Sequence, residues 1–440
     1  MAISEIKRIF MEEKGIELTK EELEKMGLET EEDIITKDEI EVYRTIFPEL
    51  TLDDIERILS LTIKRDKVIK LITFLGMLTA YTDKSQLNIS FIAPASTGKS
   101  HIALEVAKLF PQEDIKKYAY ASPTAFFHTG EYDKETNSIK HDLERKILIF
   151  LDQPHSELLA KLRPLLSHDE KELIFKITDK NKKGQNKTKT IILKGFPVVI
   201  FCSSNSFIDE QETSRVILLS PEMNEEKYEE VIMQQIEMHS NKNLEQEIEN
   251  NTERELLKKR IKVIKNLKFE GIEIKDFDLI YQYYSDKKNN QGLLSTDMRN
   301  SYKIFSIITG LTLLNFPHRE IKGKYLIANP KDIEIGLNLW KEVEKYQNFG
   351  IPPFIYWYYE QVVIPVYKKK MKENPELKGI KKKDLISYQV KGGAQKLISE
   401  KRLRIEILPT LINSGLIREE KDPEDKREKI YFPVEGVKNE

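Results

Sequence analysis

The feature that most constrains this chain is a short loop joining an apolar segment to a helical one. Residues 87–92 are mostly apolar, and residues 93–100 read Ala-Pro-Ala-Ser-Thr-Gly-Lys-Ser. The apolar spacing of residues 101–110 then predicts a helix that ends before Pro111. A strand that passes through a tight loop into a helix turns backbone N–H groups toward a phosphate. The sequence therefore predicts a phosphate-binding loop.

Each position of this loop has an expected role. Lys99 would place a cation on the β- and γ-phosphates of ATP, and the Ser100 hydroxyl would bind Mg²⁺. Ala93 stands where the pattern asks for glycine, and alanine does not tolerate a positive φ. The alternative is a chance Gly-Lys-Ser turn. The candidate nucleotide contacts are Ala93, Pro94, Ala95, Ser96, Thr97, Gly98, Lys99, Ser100 and His101.

Composition describes a globular protein. The 440 residues suffice for two or three domains, and the chain is 40% hydrophobic and 33% charged. Neither a signal peptide nor an apolar run of about 18 residues is recognisable, so we expect a cytoplasmic protein without a membrane partner. The one cysteine, Cys202, excludes an internal disulfide and any Cys-based zinc site. The net charge of −2 means that nucleic-acid contact would require local basic patches.

The chain divides into five regions by pattern. Residues 1–65 predict short charged helices, and residues 66–222 alternate strands and helices as a parallel α/β sheet requires. Residues 223–345 have a helical period, and residues 346–375 form a connecting helix whose aromatic residues favour helix packing over base stacking. Residues 376–440 form a compact basic module.

An acidic partner for the loop follows a second apolar strand. Asp152 ends the apolar run that begins at Ile147, where a carboxylate can hold Mg²⁺; an ordinary turn aspartate is the alternative. Gln153 stands where most such ATPases have a glutamate, and glutamine orients a water but cannot accept its proton. Hydrolysis is then slow, or another carboxylate such as Glu157 serves as the base.

Three further residues could act on the γ-phosphate. Asn205 follows a third apolar strand, which we expect between the strand of the loop and the strand of Asp152. Arg215 could neutralise transition-state charge in a neighbouring subunit. Arg299 opens an amphipathic helix and could reach the nucleotide from a lid. The alternatives are a plain turn for Asn205 and surface ion pairs for the two arginines.

A lysine-rich hairpin separates the Asp152 strand from the Asn205 strand. Apolar runs at residues 173–178 and 189–193 bracket a polar segment. Lysine heads on such a tip neutralise phosphates without reading bases. A solvated hairpin in a lysine-rich protein is the alternative. The candidate DNA contacts here are Lys180, Lys182, Lys183 and Lys187.

The order of phosphate loop, strand aspartate, strand asparagine and two arginines resembles an AAA+ ATPase over residues 66–345. The inserted hairpin is similar to the pre-sensor hairpin of the helix-hairpin group, which includes superfamily-3 viral helicases and the MCM helicases. The resemblance extends to replication proteins of archaeal viruses and plasmids. It implies an α/β core with a helical lid at residues 223–345, a ring-shaped homo-oligomer such as a hexamer, and hairpins that grip DNA in a central channel.

The basic module at residues 376–440 is similar to a winged helix-turn-helix. A helix at residues 401–413, closed by Gly415, precedes two strands around a charged turn. Arg402 and Arg404 would meet a major groove, while Lys426 and Arg427 touch the backbone. Winged helices also dock proteins, and this alternative stays open.

Three functions fit these observations. The first is an ATP-dependent DNA helicase or translocase acting on single-stranded or forked DNA. The second is an origin-binding initiator or helicase loader that binds duplex and uses ATP as an assembly switch, which Gln153 favours. The third is a signalling or defence ATPase whose winged helix binds protein. The lysine-rich hairpin favours the first.

Overall fold

A computed structural model provides the structure of the protein. The structure describes residues 35–119, 130–134, 136, 138–152, 154, 156–180, 186–204, 213–290, 292–374, 379–388, 398–423 and 425–434. Of residues 177–180 and 186–189 it describes the backbone and not the side chains.

Helices and strands are numbered in chain order. The helices are α1 (Lys37–Ile46), α2 (Leu52–Ser60), α3 (Lys67–Leu78), α4 (Lys99–Ala107), α5 (Ser156–Leu166), α6 (Glu225–Ser240), α7 (Leu244–Glu249), α8 (Thr252–Leu267), α9 (Asp278–Asn290), α10 (Asp297–Leu314), α11 (Pro330–Phe349), α12 (Pro353–Tyr358), α13 (Ile364–Glu373), α14 (Lys382–Ser387), α15 (Glu400–Arg402) and α16 (Leu408–Asn413). The strands are β1 (Ile89–Ile92), β2 (Ile115–Tyr118), β3 (Glu131–Asp133), β4 (Ser138–Asp142), β5 (Ile147–Phe150), β6 (Glu172–Lys180), β7 (Asn186–Lys194), β8 (Val198–Ser203), β9 (Ile217–Leu219), β10 (Gly271–Ile274), β11 (Glu320–Lys322), β12 (Tyr325–Ala328), β13 (Ile380–Lys381), β14 (Ile417–Lys421) and β15 (Lys429–Pro433). Wide π-helical turns join α12 to α13 and α15 to α16.

The first described helices are capped by threonine and attached to residues 223–345, the region predicted as a lid and called the lid. At α2, the Thr51 hydroxyl accepts from the Asp54 N–H and the Asp54 carboxylate accepts from the Thr51 N–H, a capping box. In the described residues 35–65, α1 and α2 agree with the short charged helices predicted there. The Asn315 amide group, just beyond α10, pairs with both the N–H and the carbonyl oxygen of Leu50 at 2.9 Å. The segment before α3 is therefore held against the lid.

A parallel five-stranded sheet forms the core, in the order β2-β5-β8-β1-β9. All residues of β1, β5, β8 and β9 are buried, which explains why these strands read as unbroken apolar runs. β8 lies between β5 and β1, as predicted for the strand that precedes Asn205. The segments that follow β1, β5 and β8 therefore leave the same edge of the sheet side by side.

The predicted hairpin is confirmed as part of a second sheet. β6 and β7 pair in antiparallel register from Glu172 opposite Lys194 to Lys180 opposite Asn186. β4 joins β7 in parallel and β3 pairs with β4, so the sheet has the order β3-β4-β7-β6. The backbones of Lys180 and Lys187 lie in these strands, whereas Lys182 and Lys183 lie outside the described residues.

The lid is less uniformly helical than expected. Helices α6 to α11 are accompanied by a three-stranded sheet of order β10-β12-β11. Each of its strands has three or four residues, too few for a period of two to be recognised. α10 packs on α3 at Gly310, where an added Cβ would stand 2.8 Å from the carbonyl oxygen of Leu75. This close approach fixes the lid against the core.

The C-terminal module contains the expected helix and hairpin. A helical segment covers residues 400–413 and ends before Gly415, whose φ is +75°. The antiparallel strands β14 and β15 follow it, and β13 pairs with the free edge of β15. Leu403 of this module and Phe354 of α12 belong to one hydrophobic cluster with Phe201 of the core sheet. The module is thus packed on the core, and the packing interpretation of the aromatic stretch is confirmed.

Within the part of the chain that the structure describes, no helix combines the length and the apolar character needed to cross a membrane.

Candidate nucleotide-binding site

The phosphate loop adopts its turn without strain at Ala93. The positive φ angles of the loop fall on Ser96, at 62°, and on Gly98, at 97°, and Ala93 has none. The Ala93 side chain is fully buried, and its N–H points to the Ser203 carbonyl oxygen at 3.4 Å, which extends the pairing of β1 with β8. Gly98 is the N-cap of α4, so the free N–H groups of the first helical turn face the loop. Alanine at position 93 therefore leaves the anion-binding geometry intact.

Lys99 is held by the loop itself. Its ammonium group donates to the carbonyl oxygens of Ala93 and Pro94, at 2.8 and 2.7 Å, and its residue is 8% exposed. Burial lowers the pKa of Lys99, Arg402 acts in the same direction, and the nearby Cys202 and Asp152 oppose this. No described carboxylate forms an ion pair with Lys99. Because these partners are neutral carbonyls, the positive charge of Lys99 is not compensated by them, which suits it to bind the phosphates of a nucleoside triphosphate.

Ser100 shares a hydrogen bond with Cys202, a neighbour that sequence reasoning did not assign. Cys202 lies in β8 opposite Phe91 of β1 and is 2% exposed. Burial raises the pKa of Cys202 to about 12, and the hydrogen bond with Ser100 opposes this rise only in part. The thiol is therefore protonated at neutral pH and lies beside Ser100, the predicted Mg²⁺ ligand. A single buried cysteine carries no sequence signal for this role.

Asp152 follows β5 at the edge of the sheet that carries the phosphate loop. It is exposed and close enough to Lys99 to influence its pKa. Glu157, the alternative base, lies in the first turn of α5 and accepts a hydrogen bond from Lys161 at 2.6 Å. Gln153 and Asn205 lie outside the described residues.

A second buried cation, Lys227, lies beside the phosphate loop. Its ammonium group donates to the Thr97 carbonyl oxygen at 3.2 Å and forms an ion pair with Asp66, and the two residues are 4% and 1% exposed. Burial raises the pKa of Asp66 and the charge of Lys227 opposes the rise. The Asp66 carboxylate also accepts from the Glu222 N–H at 2.7 Å. The sequence analysis did not single out Lys227. A lysine in the first turn of a helix is unfavourable because it opposes the helix dipole, and this position in α6 could have marked Lys227 as a functional candidate.

Arg402 reaches this site from the C-terminal module. Its guanidinium donates to the Ser204 carbonyl oxygen at 3.0 Å, pairs with Glu406 at 2.6 Å and lies 4.8 Å from the centre of the Phe354 ring. Its side chain is 15% exposed, and its charge contributes to the lowered pKa of Lys99. The sequence predicted a major-groove contact for Arg402. In the structure its guanidinium contacts residues of its own chain, because the C-terminal module packs on the core.

Arg215 lies at the opposite edge of the core sheet. β9 begins at Ile217, whose partner Ile89 is the first residue of β1, whereas the phosphate loop follows the last residue of β1. A four-residue strand separates the two edges by about 10 Å. The Arg215 guanidinium donates to the Ser167 hydroxyl. Arg215 is therefore remote from the phosphate loop of its own chain.

Arg299 lies next to Arg215 rather than at the phosphate loop. It occupies the first turn of α10, as the sequence predicted, and donates to the hydroxyl of Ser214. The structure thus brings the two predicted arginines together at one edge of the sheet and places Lys99, Ser100 and Asp152 at the other.

The remaining predicted DNA contacts are exposed where they are described. Arg404 and Lys426 are exposed, and the side chain of Arg427 is 90% exposed and pairs with Asp425 at 3.1 Å. The turn that carries Lys426 and Arg427 is tethered by Lys381, which forms ion pairs with Asp422 and with Glu428. The side chains of the hairpin lysines lie outside the description.

The five-stranded parallel sheet, the loop that follows β1 and the helix that begins at Lys99 define an α/β P-loop nucleotide-binding domain. The model of the family described as the MTBMA_p00010 P-loop domain matches residues 52–266, from α2 almost to the end of α8. Fold and match together indicate a P-loop NTPase. No curated protein matches the chain.

Proposed function

We propose that this protein is an ATP-driven, ring-forming DNA helicase or translocase of the replication system of an archaeal plasmid or virus. One observation carries the proposal: Arg215 and Arg299 lie together at the sheet edge remote from the phosphate loop of their own chain. Arginines in that position can complete a nucleotide site only on a neighbouring copy, which a closed ring supplies at every interface.

In this proposal each chain offers a binding half and an activating half. Lys99 would exchange its two carbonyl partners for phosphate oxygens. Ser100 and Asp152 would hold Mg²⁺, which would supply positive charge against the developing negative charge. Asn205 and Gln153 orient the attacking water. Arg215 of the neighbour, with Arg299 beside it, stabilises the charge of the transition state.

The DNA-binding part of the proposal depends on the hairpin and the C-terminal module. The hairpin formed by β6 and β7 would present Lys180, Lys182, Lys183 and Lys187 to the backbone of a strand in the ring channel. The order β13, α14, helix 400–413, β14, β15 supports a winged helix. Its exposed residues Arg404, Lys426 and Arg427 would contact DNA phosphates.

Three experiments test this function. ATP hydrolysis by the full chain should increase when single-stranded DNA is added. Lys99→Ala and Arg215→Ala should each abolish hydrolysis, with ATP binding retained only in Arg215→Ala. Mixing the two inactive variants should restore about one quarter of the activity, because a random ring places an intact loop beside an intact arginine at about a quarter of its interfaces. A mixture as inactive as its components would refute the shared site.

A switch function is the second candidate. The glutamine after Asp152 lacks the basicity of the usual glutamate, and Glu157 is engaged by Lys161. An origin-binding initiator or helicase loader would bind ATP tightly with negligible turnover and would prefer one duplex sequence. The same hydrolysis assay, run with and without DNA, separates this outcome from the motor.

A further inference from the structure

A large cavity opens between the lid, the core and the C-terminal module. Its volume is about 840 Å³, within the size range of pockets that hold nucleotide-sized ligands. Its walls are the first turns of α10, the end of α11, the segment before β9 and the end of α16. The cavity extends to Ile92, but no residue of the loop 93–100 lines it. It is therefore distinct from the nucleotide site described above.

The charges that face this cavity are all positive. Among the described residues that line it, the charged side chains are Arg299 and Lys303, and no carboxylate is present. The other walls are hydroxyl, amide and apolar groups. An 18-residue helix, α10, also begins at the cavity, so the positive end of its dipole adds to the two cations.

Lys303 and Thr296 distinguish this cavity from a solvated cleft. Lys303 is 7% exposed and has no hydrogen-bond or ion-pair partner among the described residues. Burial lowers the pKa of Lys303 to about 7, and the neighbouring Arg299 acts in the same direction. The hydroxyl of Thr296, the N-cap of α10, is buried and also has no described partner.

A buried lysine of the neighbouring helix shows how this protein satisfies a structural ammonium group. Lys287 of α9 is 8% exposed and forms ion pairs with Asp297, at 2.6 Å, and with Glu344. Lys303 is as deeply buried and lacks such partners. A cation and a hydroxyl that face one cavity unpaired are the donors that an anionic ligand would satisfy.

We propose that this cavity binds a phosphate-bearing small molecule of nucleotide size, with Lys303 and Thr296 as donors to its phosphoryl group. Hydroxyls and a helix N-terminus beside a cation favour a phosphate over an apolar ligand. Because the walls come from the lid, the core and the C-terminal module, a bound ligand holds these three parts in one arrangement. The site does not include the phosphate loop, although Arg299 belongs both to its wall and to the arginine pair of the proposed function.

The test first abolishes nucleotide binding at the phosphate loop. Full-length Lys99→Ala protein is titrated with pyrophosphate, and then with ATP and ADP, by isothermal calorimetry. We expect pyrophosphate to bind this variant. Adding Lys303→Met should weaken that binding about 10- to 100-fold, the loss expected for one charged hydrogen bond. Adding Lys331→Met, which removes an exposed lid lysine outside the cavity, should leave it unchanged.

The three titrants distinguish the possible sources of the phosphate. Tighter binding of ATP or ADP than of pyrophosphate identifies a nucleotide, and equal binding identifies a simple phosphate or pyrophosphate. Pyrophosphate binding that is absent, or that is insensitive to Lys303→Met, overturns the site. If Lys303→Met does not fold, Thr296→Val removes a single hydroxyl and should weaken binding about tenfold.

Discussion

The Lys227 ammonium group donates to the carbonyl oxygen of Thr97, 3.2 Å away, and so links the first lid helix to the phosphate loop. Its other partner, Asp66, lies at the start of α3 and is 1% exposed. The loop, the lid and the segment that leads into the core therefore meet at one buried ion pair. Lys227 therefore has two roles that can be tested apart: a structural role through Asp66 and a role in nucleotide binding through Thr97.

Lys227→Met should lower the free energy of unfolding by about 3–5 kcal/mol, since Asp66 is left buried without its cation. It should also weaken ATP binding, because the loop loses its support at Thr97. Adding Asp66→Asn removes the unpaired charge and should restore stability but not ATP affinity. Urea unfolding and titration with a fluorescent nucleotide measure the two effects. Lys242→Met, at an exposed lysine beyond α6, is the control; joint recovery of both properties would contradict the prediction.

Arg402 and Arg404 form a matched pair on one helical segment. Arg402→Ala removes a cation at the nucleotide edge and should weaken ATP binding about tenfold with DNA affinity unchanged. Arg404→Ala should weaken DNA binding and leave ATP binding unchanged. For duplex DNA it should reduce the steepness of the plot of log affinity against log salt concentration (the salt slope) by about 0.9. Nucleotide titrations and DNA anisotropy at several salt concentrations check both. The reverse pattern would place Arg402 on DNA.

The hairpin lysines should determine how DNA stimulates hydrolysis. Replacement of Lys180, Lys182, Lys183 and Lys187 by alanine should abolish stimulation by single-stranded DNA and leave basal hydrolysis unchanged. The salt slope should fall by about 0.7 for each lost phosphate contact. Lys140→Ala, on the neighbouring strand β4, is the control because Lys140 pairs with Asp133. Stimulation that survives the fourfold replacement would remove the hairpin from the DNA path.

Lys303 and Lys287 should respond oppositely to substitution. Lys303→Met removes a buried ammonium group without a described partner and should stabilise the protein at neutral pH. Lys287→Met leaves Asp297 and Glu344 unpaired and should destabilise it by about 3–5 kcal/mol. Chemical denaturation of each variant gives the sign directly.

The pH dependence of stability follows from the same lysine. The pKa of Lys303 is about 7 in the folded chain and 10.5 as its ordinary value. Between these values the unfolded chain binds the additional proton, so stability rises with pH, by at most about 1.4 kcal/mol per unit. Wild type should gain stability relative to Lys303→Met from about pH 7 to pH 10. Parallel curves for the two proteins would contradict the lowered pKa.

Local pattern predicted much of the nucleotide half of the site. The strand before Ala93, the helix from Lys99 and the apolar strand before Asp152 follow from residues adjacent in sequence, because backbone preference and burial act at short range. The position of β8 in the sheet also followed, since a strand between the two others brings its end beside theirs. The short strands β10 to β12 were not predicted because three or four residues carry too weak a period.

The sequence by itself determined the phosphate loop, the α/β core and the hairpin, because each is encoded by a contiguous pattern of polar and apolar residues. Only the tertiary structure decided that Lys227 and Arg402 lie at the nucleotide edge and that Arg215 and Arg299 share the opposite edge. The partner residues in these contacts lie 48 to 198 positions apart in the chain. Contacts over such separations depend on how lid, core and C-terminal module pack, and packing is a property of the whole folded chain.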